Sequence, residues 1–432
     1  MKLLHIGLSN YRNFQHLSVN LGESATIFIG KNGTGKTNLL TAICQALSMP
    51  FAKIKNSKQY DFLASSDRKV QGFKADDPTY IYNQETHRGD YKYPIGIFAL
   101  AIWEGFGLRW SFRKSYENDS LNSKQYLRES QKFWDYHYLT GLELPVFAYF
   151  SDTYPHIPYL GKAMKEKLSS GYELPQNTGY YMWDDIKNCP EIWHQYLIMN
   201  MKNHIFDSSK NEKSEYVEAI KKTLYDFTKP LDPQIKSNED FELTDIKLSA
   251  RYQEDVLIFC FKDGRNLPFQ SLPQGYKRLL SIVLDIASRS FFLNHHCNSS
   301  GIVLIDEVEL HLHPSLAAEV VTRLKRNFQN IQFILSTHSP LVITNFNNND
   351  NNIIYKMHKN EEGEDTITEI PNVYGVDYNT GLRDVMGTPI QNSVIVQLIQ
   401  TYEYWKSLNT EFAEKAKSQL KQLGYDVEKN LK

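Results

Sequence analysis

The chain has 432 residues, with 48 lysines and arginines against 50 aspartates and glutamates and a formal net charge of −2 at pH 7. This length allows two or three domains with large cores, and the balanced charge excludes nucleic-acid binding through a global basic field. The four cysteines form no C-x-x-C pair, so neither a zinc site nor a disulfide framework is predicted. No apolar run approaches membrane-spanning length and the chain opens on a predicted strand, so we expect a cytoplasmic protein without a membrane partner.

A glycine-rich loop joins the first buried strand to the first helix. Ala25 to Ile29 is a short apolar run, and residues 36–47 have helical spacing. Between them, Gly30–Lys31–Asn32–Gly33–Thr34–Gly35–Lys36–Thr37 satisfies the pattern G-x-x-x-x-G-K-[ST]. The amides of such a loop and the positive end of the helix hold a phosphate chain. We therefore predict an ATP site in which Lys36 reaches the β- and γ-phosphates and the Thr37 hydroxyl ligates Mg²⁺.

The sequence pattern in the middle of the chain predicts an antiparallel hairpin, then a helical insertion, then two further strands. Ile95–Trp103 and Leu108–Arg113 have the pattern of an antiparallel pair joined by a glycine-containing turn. Residues 115–235 are polar and aromatic, with stretches of helical spacing but no sustained heptads, which predicts a compact helical insertion. Phe241–Ser249 and Val256–Phe261 predict two further strands.

Two adjacent carboxylates follow an apolar strand in the last third of the chain. Ile302 to Ile305 predicts a buried strand, and Asp306 and Glu307 come directly after it. Carboxylates in this position hold Mg²⁺ and activate water beside a phosphate chain. We predict that Asp306 is the Mg²⁺ partner and that Glu307 is the general base that orients the attacking water.

Two more segments complete this candidate site. Leu272–Tyr276, which contains Gly275, comes before an amphipathic helix, and a glycine at a helix amino end can approach a phosphate. Ile331 to Leu335 is another apolar strand, and His338 follows it at the end where ligands collect in parallel α/β sheets. We predict that His338 senses the γ-phosphate.

The segments resemble, in order and in motif, the ABC-type ATPases of the RecF, Rad50, SMC and OLD kind within the AAA family. Asn10–Phe14 is similar to the opening strand pair of that family, Gly30–Leu40 to its nucleotide loop and Glu309–Pro314 to the loop after its acidic pair. The resemblance implies an α/β fold, an ABC-type P-loop ATPase head with an antiparallel β-subdomain, a short helical insertion instead of a long coiled coil, and a C-terminal helical appendage. The implied domains are the first ATPase lobe at 1–114, the helical insertion at 115–235, the second lobe at 236–358 and a helical oligomerisation region at 359–432.

The resemblance also implies a role for each candidate side chain. The implied catalytic residues are Lys36, Glu307 and His338, and the implied Mg²⁺ ligands are Thr37 and Asp306. The implied nucleotide-binding residues are Arg12, Asn32, Gly33, Thr34, Gly35, Lys36, Thr37, Asn38 and Gly275. In this family the signature glycine touches the nucleotide of a second head, which implies a head-to-head dimer. Pro273 stands where the family usually has serine, which predicts slow hydrolysis with ATP binding retained.

The residues from Tyr374 onward resemble one subgroup of this family. Tyr374–Gly375, Leu382 and Met386–Gly387 come before two predicted helices, 393–408 and 410–423, as in the ATPase subunit of Septu and retron-associated antiphage systems. This implies a homo-oligomeric defence ATPase that scaffolds or regulates a separate nuclease, of the HNH type, with any nucleic acid contacted through the complex. Three alternatives stay open: a RecF-like repair ATPase that binds duplex DNA, a PARIS-type ATPase that holds a Toprim effector, and an assembly module whose ATPase is idle.

Overall fold

The computed structural model describes the chain apart from residues 57–71, 123, 155–173, 185–188, 207–213, 233–237, 252–253, 350, 388–392, 409, 424 and 426–432. Two compact units, Met1–Tyr374 and Gly375–Lys432, make up the chain. Among the described helices, none is long and apolar enough to cross a membrane.

The first unit contains strands from four sheets and seven α-helices in its described part. The strands are β1 (Lys2–Tyr11), β2 (Phe14–Asn20), β3 (Ala25–Gly30), β4 (Tyr80–Asn83), β5 (Arg88–Tyr91), β6 (Ile95–Trp103), β7 (Phe106–Lys114), β8 (Val146–Phe150), β9 (Leu243–Arg251), β10 (Glu254–Phe261), β11 (Asn266–Pro268), β12 (Gly301–Ile305), β13 (Ile331–Thr337), β14 (Asn352–Lys359) and β15 (Asp365–Glu369). The helices are α1 (Lys36–Leu47), α2 (Lys124–Thr140), α3 (Cys189–Phe206), α4 (Glu215–Thr228), α5 (Gln274–Asn294), α6 (Pro314–Asn327) and α7 (Pro340–Thr344).

In the described part of the chain, the central sheet has six strands in the order β15-β14-β3-β13-β12-β8. All neighbours in it are parallel except β14 and β15. Every residue of β3, β8, β12 and β13 is buried, as expected for parallel strands covered on both faces. The carboxyl ends of these strands meet along one edge, which is where ligands collect in such sheets.

A second, antiparallel sheet has the order β2-β1-β6-β7 and contains the predicted hairpin. Its inner face is packed with large apolar side chains, and the Trp110 indole donates to the carbonyl of Ala46 in α1 at 3.0 Å. This contact joins the antiparallel sheet to the helix that follows the phosphate loop. The predicted fold class, an ABC-type α/β head with an antiparallel β-subdomain, is confirmed.

The structure differs from the predicted helical insertion at residues 115–235. That segment includes β8, which pairs with β12 in the central sheet, because Val146–Phe150 is a short run whose five residues are all buried. It also includes the helices α2, α3 and α4, in agreement with the stretches of helical spacing. The segment therefore contributes to the central sheet as well as to the helices around it.

The end of the first unit also differs from the predicted boundary at residue 359. Beyond residue 359 the chain forms β15, which pairs antiparallel with β14 and keeps the chain in the central sheet. The second unit begins at Gly375 and contains the expected helical pair, α8 (Ser393–Trp405) and α9 (Thr410–Gln422). The two helices pack on each other, with Ala413, Ala416 and Leu420 buried on α9.

Candidate functional site

The phosphate loop connects β3 to α1 through glycines in unusual backbone conformations. Gly33 and Gly35 have φ angles of 82° and 92°, in the left-handed region that glycine adopts without steric cost. Gly35 is the N-cap of α1, so the unpaired amides of the first helical turn are directed at the loop. Asn32 and Gly33 are exposed at its tip, and the buried Thr34 hydroxyl donates to the carbonyl of Lys31 at 2.9 Å.

The Lys36 ammonium lies inside this loop. Its Nζ donates to the carbonyl oxygens of Gly30 at 2.8 Å and Lys31 at 3.1 Å, and the residue is only 6% exposed. Burial lowers the pKa of Lys36, and the carboxylates of Asp306 and Glu307 act against that shift. The loop thus holds a positive charge at its centre, where a phosphate chain would carry several negative charges.

The turn between β1 and β2 supports the phosphate loop from outside. A Cβ atom on Gly35 would lie 2.3 Å from Nδ2 of Asn13, so only glycine fits there. The same Asn13 amide donates to the Thr34 carbonyl at 3.3 Å and to Oδ2 of Asp365 at 3.0 Å, and it accepts from Asn38 at 2.8 Å. Asn13 therefore connects the loop to α1 and to β15.

Arg12 belongs to the same support. Its guanidinium donates to Oδ1 of Asn38 at 2.9 Å and to Oδ1 of the buried Asp77 at 3.0 Å. Asp77 also accepts from Gln45 of α1 at 3.0 Å. The predicted nucleotide-binding residues Arg12 and Asn38 are thus in direct contact with each other beside α1.

The predicted Mg²⁺ ligands lie in contact although they come from distant parts of the chain. Oγ1 of Thr37 donates to Oδ2 of Asp306 at 2.7 Å, and the Ser336 hydroxyl donates to Oδ1 of the same carboxylate. Because its proton goes to Asp306, the Thr37 oxygen keeps its lone pairs for a cation. A hydroxyl and a carboxylate are hard oxygen ligands, the kind that Mg²⁺ prefers when phosphates and waters supply the rest. The donor set therefore fits Mg²⁺.

Glu307 directly follows Asp306 and has a left-handed backbone conformation. Its φ is 48°, which is uncommon for a residue with a side chain, and its amide donates to the Ser336 hydroxyl at 2.8 Å. Partial burial raises the pKa of Glu307, and the neighbouring carboxylates of Asp306, Glu309 and Asp152 raise it further. A carboxylate with a raised pKa accepts a proton more readily, as a general base must.

His338 lies beside Glu307 at the end of β13. Its Nε2 is 3.9 Å from Oε1 of Glu307, and its backbone amide donates to Oε1 of Glu309 at 2.6 Å. Oε2 of Glu309 accepts from the Thr337 hydroxyl at 2.7 Å, so one carboxylate holds the whole turn. Burial lowers the pKa of His338 and the charge of Lys36 lowers it further, which favours the neutral imidazole.

Gly275 lies at the amino end of α5, next to the loop that follows Glu307. It is buried at the amino end of α5, where a Cβ atom would lie 2.5 Å from the carbonyl oxygen of His311 in the loop after Glu307. Pro273, the N-cap of α5, and Gln274 are exposed at the tip. The structure thus packs Gly275 on the loop that follows the acidic pair, with the exposed tip directed to solvent.

Sequence reasoning missed several residues that organise this site. Ser336 bonds both to Asp306 and to the amide of Glu307, and Glu309 fixes the turn of His338. The sequence offered a signal for both residues, because Ser336 directly follows the predicted strand that ends at Leu335 and Glu309 lies two residues after Glu307. Asn13 and Asp365 gave no such signal, because their contact joins residues 352 positions apart.

Two family models match this chain, one over each half of the first unit. Residues 1–153 match the AAA ATPase domain, and residues 183–344 match an AAA domain named for the AbiEii toxin of a type IV toxin–antitoxin system. The matched segments contain the phosphate loop and the acidic pair that meet in the structure. The chain is an ABC-type ATPase.

The ATPase has relatives along most of its length. A "Retron Vc95 probable ATPase" of Vibrio cholerae is 26% identical over 83% of this chain and 74% of that protein. A "Septu protein PtuA" of Bacillus thuringiensis is 24% identical over 92% of this chain and 87% of that protein. A "Retron Ec83 probable ATPase" of Escherichia coli is 46% identical, but over only 19% of this chain and 16% of that protein. The relatives that match most of this chain are thus named as a retron ATPase and as a Septu protein.

Proposed function

We propose that this chain is the ATP-binding and ATP-hydrolysing subunit of an antiphage defence complex and that it scaffolds or regulates a separate nuclease. The hydrogen bond between Thr37 and Asp306 carries the enzymatic part of the proposal, because it joins the phosphate loop to the acidic pair in one site. The relatives named for Septu and retron systems support the defence role. An HNH nuclease is the favoured effector.

In the proposed reaction, the chain's own residues position ATP and a water molecule. The loop amides and Lys36 would hold the phosphates, and Thr37 and Asp306 would hold Mg²⁺, which would neutralise charge on the phosphate oxygens. Glu307 orients the attacking water and accepts its proton. His338, neutral at physiological pH, donates a hydrogen bond to the γ-phosphate from the ring edge beside Glu307.

The proposed assembly is a head-to-head dimer that builds into a higher oligomer. The exposed tip at Pro273 and Gln274 supports it, because the free amides at the start of the 21-residue helix α5 can meet a phosphate brought by a second head. Pro273 cannot donate a hydrogen bond from its side chain or its nitrogen, which lowers the contribution of this tip to hydrolysis. Slow turnover is therefore part of the proposal.

Mass photometry of the purified chain, alone and co-expressed with the product of the neighbouring gene, tests the assembly. We expect a higher oligomer that retains a nuclease neighbour. A monomer that dimerises only with ATP, ignores the neighbour and binds duplex DNA with salt-sensitive affinity would instead support the RecF-like repair alternative.

Two lysines of the phosphate loop give a matched pair for the nucleotide site. Lys36 is buried inside the loop, whereas Lys31 is exposed on it. Lys36→Ala should abolish ATP binding, measured by equilibrium titration with a fluorescent ATP analogue, while Lys31→Ala should retain most of it. Unchanged affinity in Lys36→Ala would refute the assignment of the loop.

A further inference from the structure

Arg278 is a buried arginine near the amino end of α5, the end that contains Gly275 and is called the signature end below. It connects this end with two loops at the candidate site. It lies three residues after Gly275, on the same face of the helix, and its side chain is fully buried. No feature of the sequence motifs assigns it a role.

One nitrogen of Arg278 binds the loop that follows β8. Nη1 donates to the carbonyl oxygens of Ser151 at 3.0 Å and Asp152 at 3.4 Å, and also to that of Tyr154. This loop comes from the strand beside β12, and the carboxylate of Asp152 raises the pKa of Glu307. The first half of the guanidinium thus fixes a loop whose charge acts on the candidate general base.

The other terminal nitrogen binds the acidic pair itself. Nη2 donates to the carbonyl oxygen of Asp306 at 2.7 Å and lies 3.4 Å from that of Glu307. The peptide group between these residues is held from its other side, because the Glu307 amide donates to Ser336. Arg278 and Ser336 together fix the backbone that places Glu307 at a φ of 48°.

We propose that Arg278 is a positioning residue for ATP hydrolysis, which aligns Glu307 by tying the 151–154 loop and the Asp306–Glu307 backbone to the signature end of α5. The planar guanidinium suits this arrangement, because its two terminal nitrogens reach two separate sets of carbonyl oxygens at once. A lysine at this position keeps the charge but has a single terminal nitrogen, so it can bind one loop well and not both. The inference rests on the proposed role of Glu307 and adds the residue that holds it in place.

Arg289 provides a matched control on the same helix. It is also fully buried, it also donates to two backbone carbonyls, those of Gly179 and Tyr181, and it forms an ion pair with Asp285. None of these partners belongs to the candidate site. Arg278→Lys and Arg289→Lys therefore make the same chemical change in two equally buried side chains. Only Arg278→Lys alters a residue that contacts the candidate site.

Single-turnover ATP hydrolysis and ATP affinity should be measured for the wild-type chain and both variants, with unfolding midpoints as the measure of stability. We expect Arg278→Lys to lower the hydrolysis rate about tenfold to a hundredfold, as misplacement of a reacting group does, with ATP affinity within about twofold of wild type. Arg289→Lys should lose stability to a similar extent but keep the wild-type rate per bound ATP. Equal rates in Arg278→Lys and wild type, or equal losses in both variants, would overturn the inference. If the wild-type chain itself does not hydrolyse ATP, the proposed function fails instead.

Amide hydrogen exchange tests the same contacts without hydrolysis. In Arg278→Lys, the peptides that cover 151–154 and 306–308 should both exchange faster, whereas in Arg289→Lys they should match the wild type. If Arg278→Lys does not fold, the proposal can be tested instead by measuring amide exchange of the wild-type chain in low denaturant. There the two loops should open together with the amino end of α5 as one cooperative unit. Independent opening of the two loops would contradict the proposal.

Discussion

Thr37 and Asp306 are 269 positions apart in the chain, yet Oγ1 of the first donates to Oδ2 of the second at 2.7 Å. The contact exists because β3 and β12 lie on either side of β13 in a parallel sheet, so their carboxyl ends face the same edge. Thr37 lies shortly after the end of β3, and Asp306 directly follows β12. The two side chains therefore meet at this edge of the sheet.

The Thr37 hydroxyl can be removed at constant shape by Thr37→Val. We expect the affinity for ATP in the presence of Mg²⁺ to fall about tenfold, because a hydroxyl that bonds a carboxylate and ligates a cation contributes on the order of 1.5 kcal/mol. Affinity in EDTA should change little. Thr37→Ser keeps the hydroxyl and should bind as the wild type does. Titration calorimetry with and without Mg²⁺ measures these values, and equal Mg²⁺-dependent affinity in Thr37→Val would remove Thr37 from the metal site.

Glu307→Gln removes the proposed base and keeps the size of the side chain. We expect ATP to remain bound and hydrolysis to slow by about 10²-fold or more, as loss of a general base does. Phosphate release under single-turnover conditions is the measurement. Glu309→Gln serves as the comparison, because Glu309 holds the backbone of His338 and does not orient water in this mechanism. Normal turnover in Glu307→Gln would be incompatible with its role as base.

The pH dependence of hydrolysis follows from the direction of the Glu307 pKa. Burial and the neighbouring carboxylates raise that pKa, and the base acts only when deprotonated, so the rate should fall as pH drops through a value above that of an ordinary glutamate. Asp152 is one of the charges that raise it. Asp152→Asn should therefore shift this acid limb to lower pH, and salt should reduce the shift because Asp152 is exposed. An acid limb that is identical in Asp152→Asn and the wild type would argue against Glu307 as the group that titrates.

Gly275→Ala tests the packing of the signature on the loop after the acidic pair. Alanine is the better helix former by about 1 kcal/mol, but its Cβ would lie 2.5 Å from the carbonyl oxygen of His311, and overpacking of this kind costs about 1–3 kcal/mol. We expect a net loss of stability in chemical unfolding and a lower rate of hydrolysis. Gly107→Ala is the control, because a Cβ at Gly107 meets nothing within 4 Å. A Gly275→Ala variant as stable as Gly107→Ala would mean that the helix end moves freely on its neighbour.

Local sequence determined the parts of this protein in which neighbouring residues form one structural unit. The phosphate loop, the strand before Asp306 and the strand before His338 each combine a buried apolar run with the residues that directly follow it, and the structure has all three as predicted. The hairpin of β6 and β7 and the helical pair of the second unit were predictable for the same reason, since their pairing is between neighbours in the chain.

Tertiary structure alone decided which distant residues meet. Val146–Phe150 is short and apolar, and only the place next to β12 makes it a strand of the central sheet. Asn13 supports the phosphate loop because two sheets bring a turn against Gly35. Arg278 reaches five carbonyl oxygens because the amino end of α5 lies next to two loops. Such contacts depend on strand order and helix packing, which arise from the burial of the whole core and leave no periodic pattern at the residues concerned.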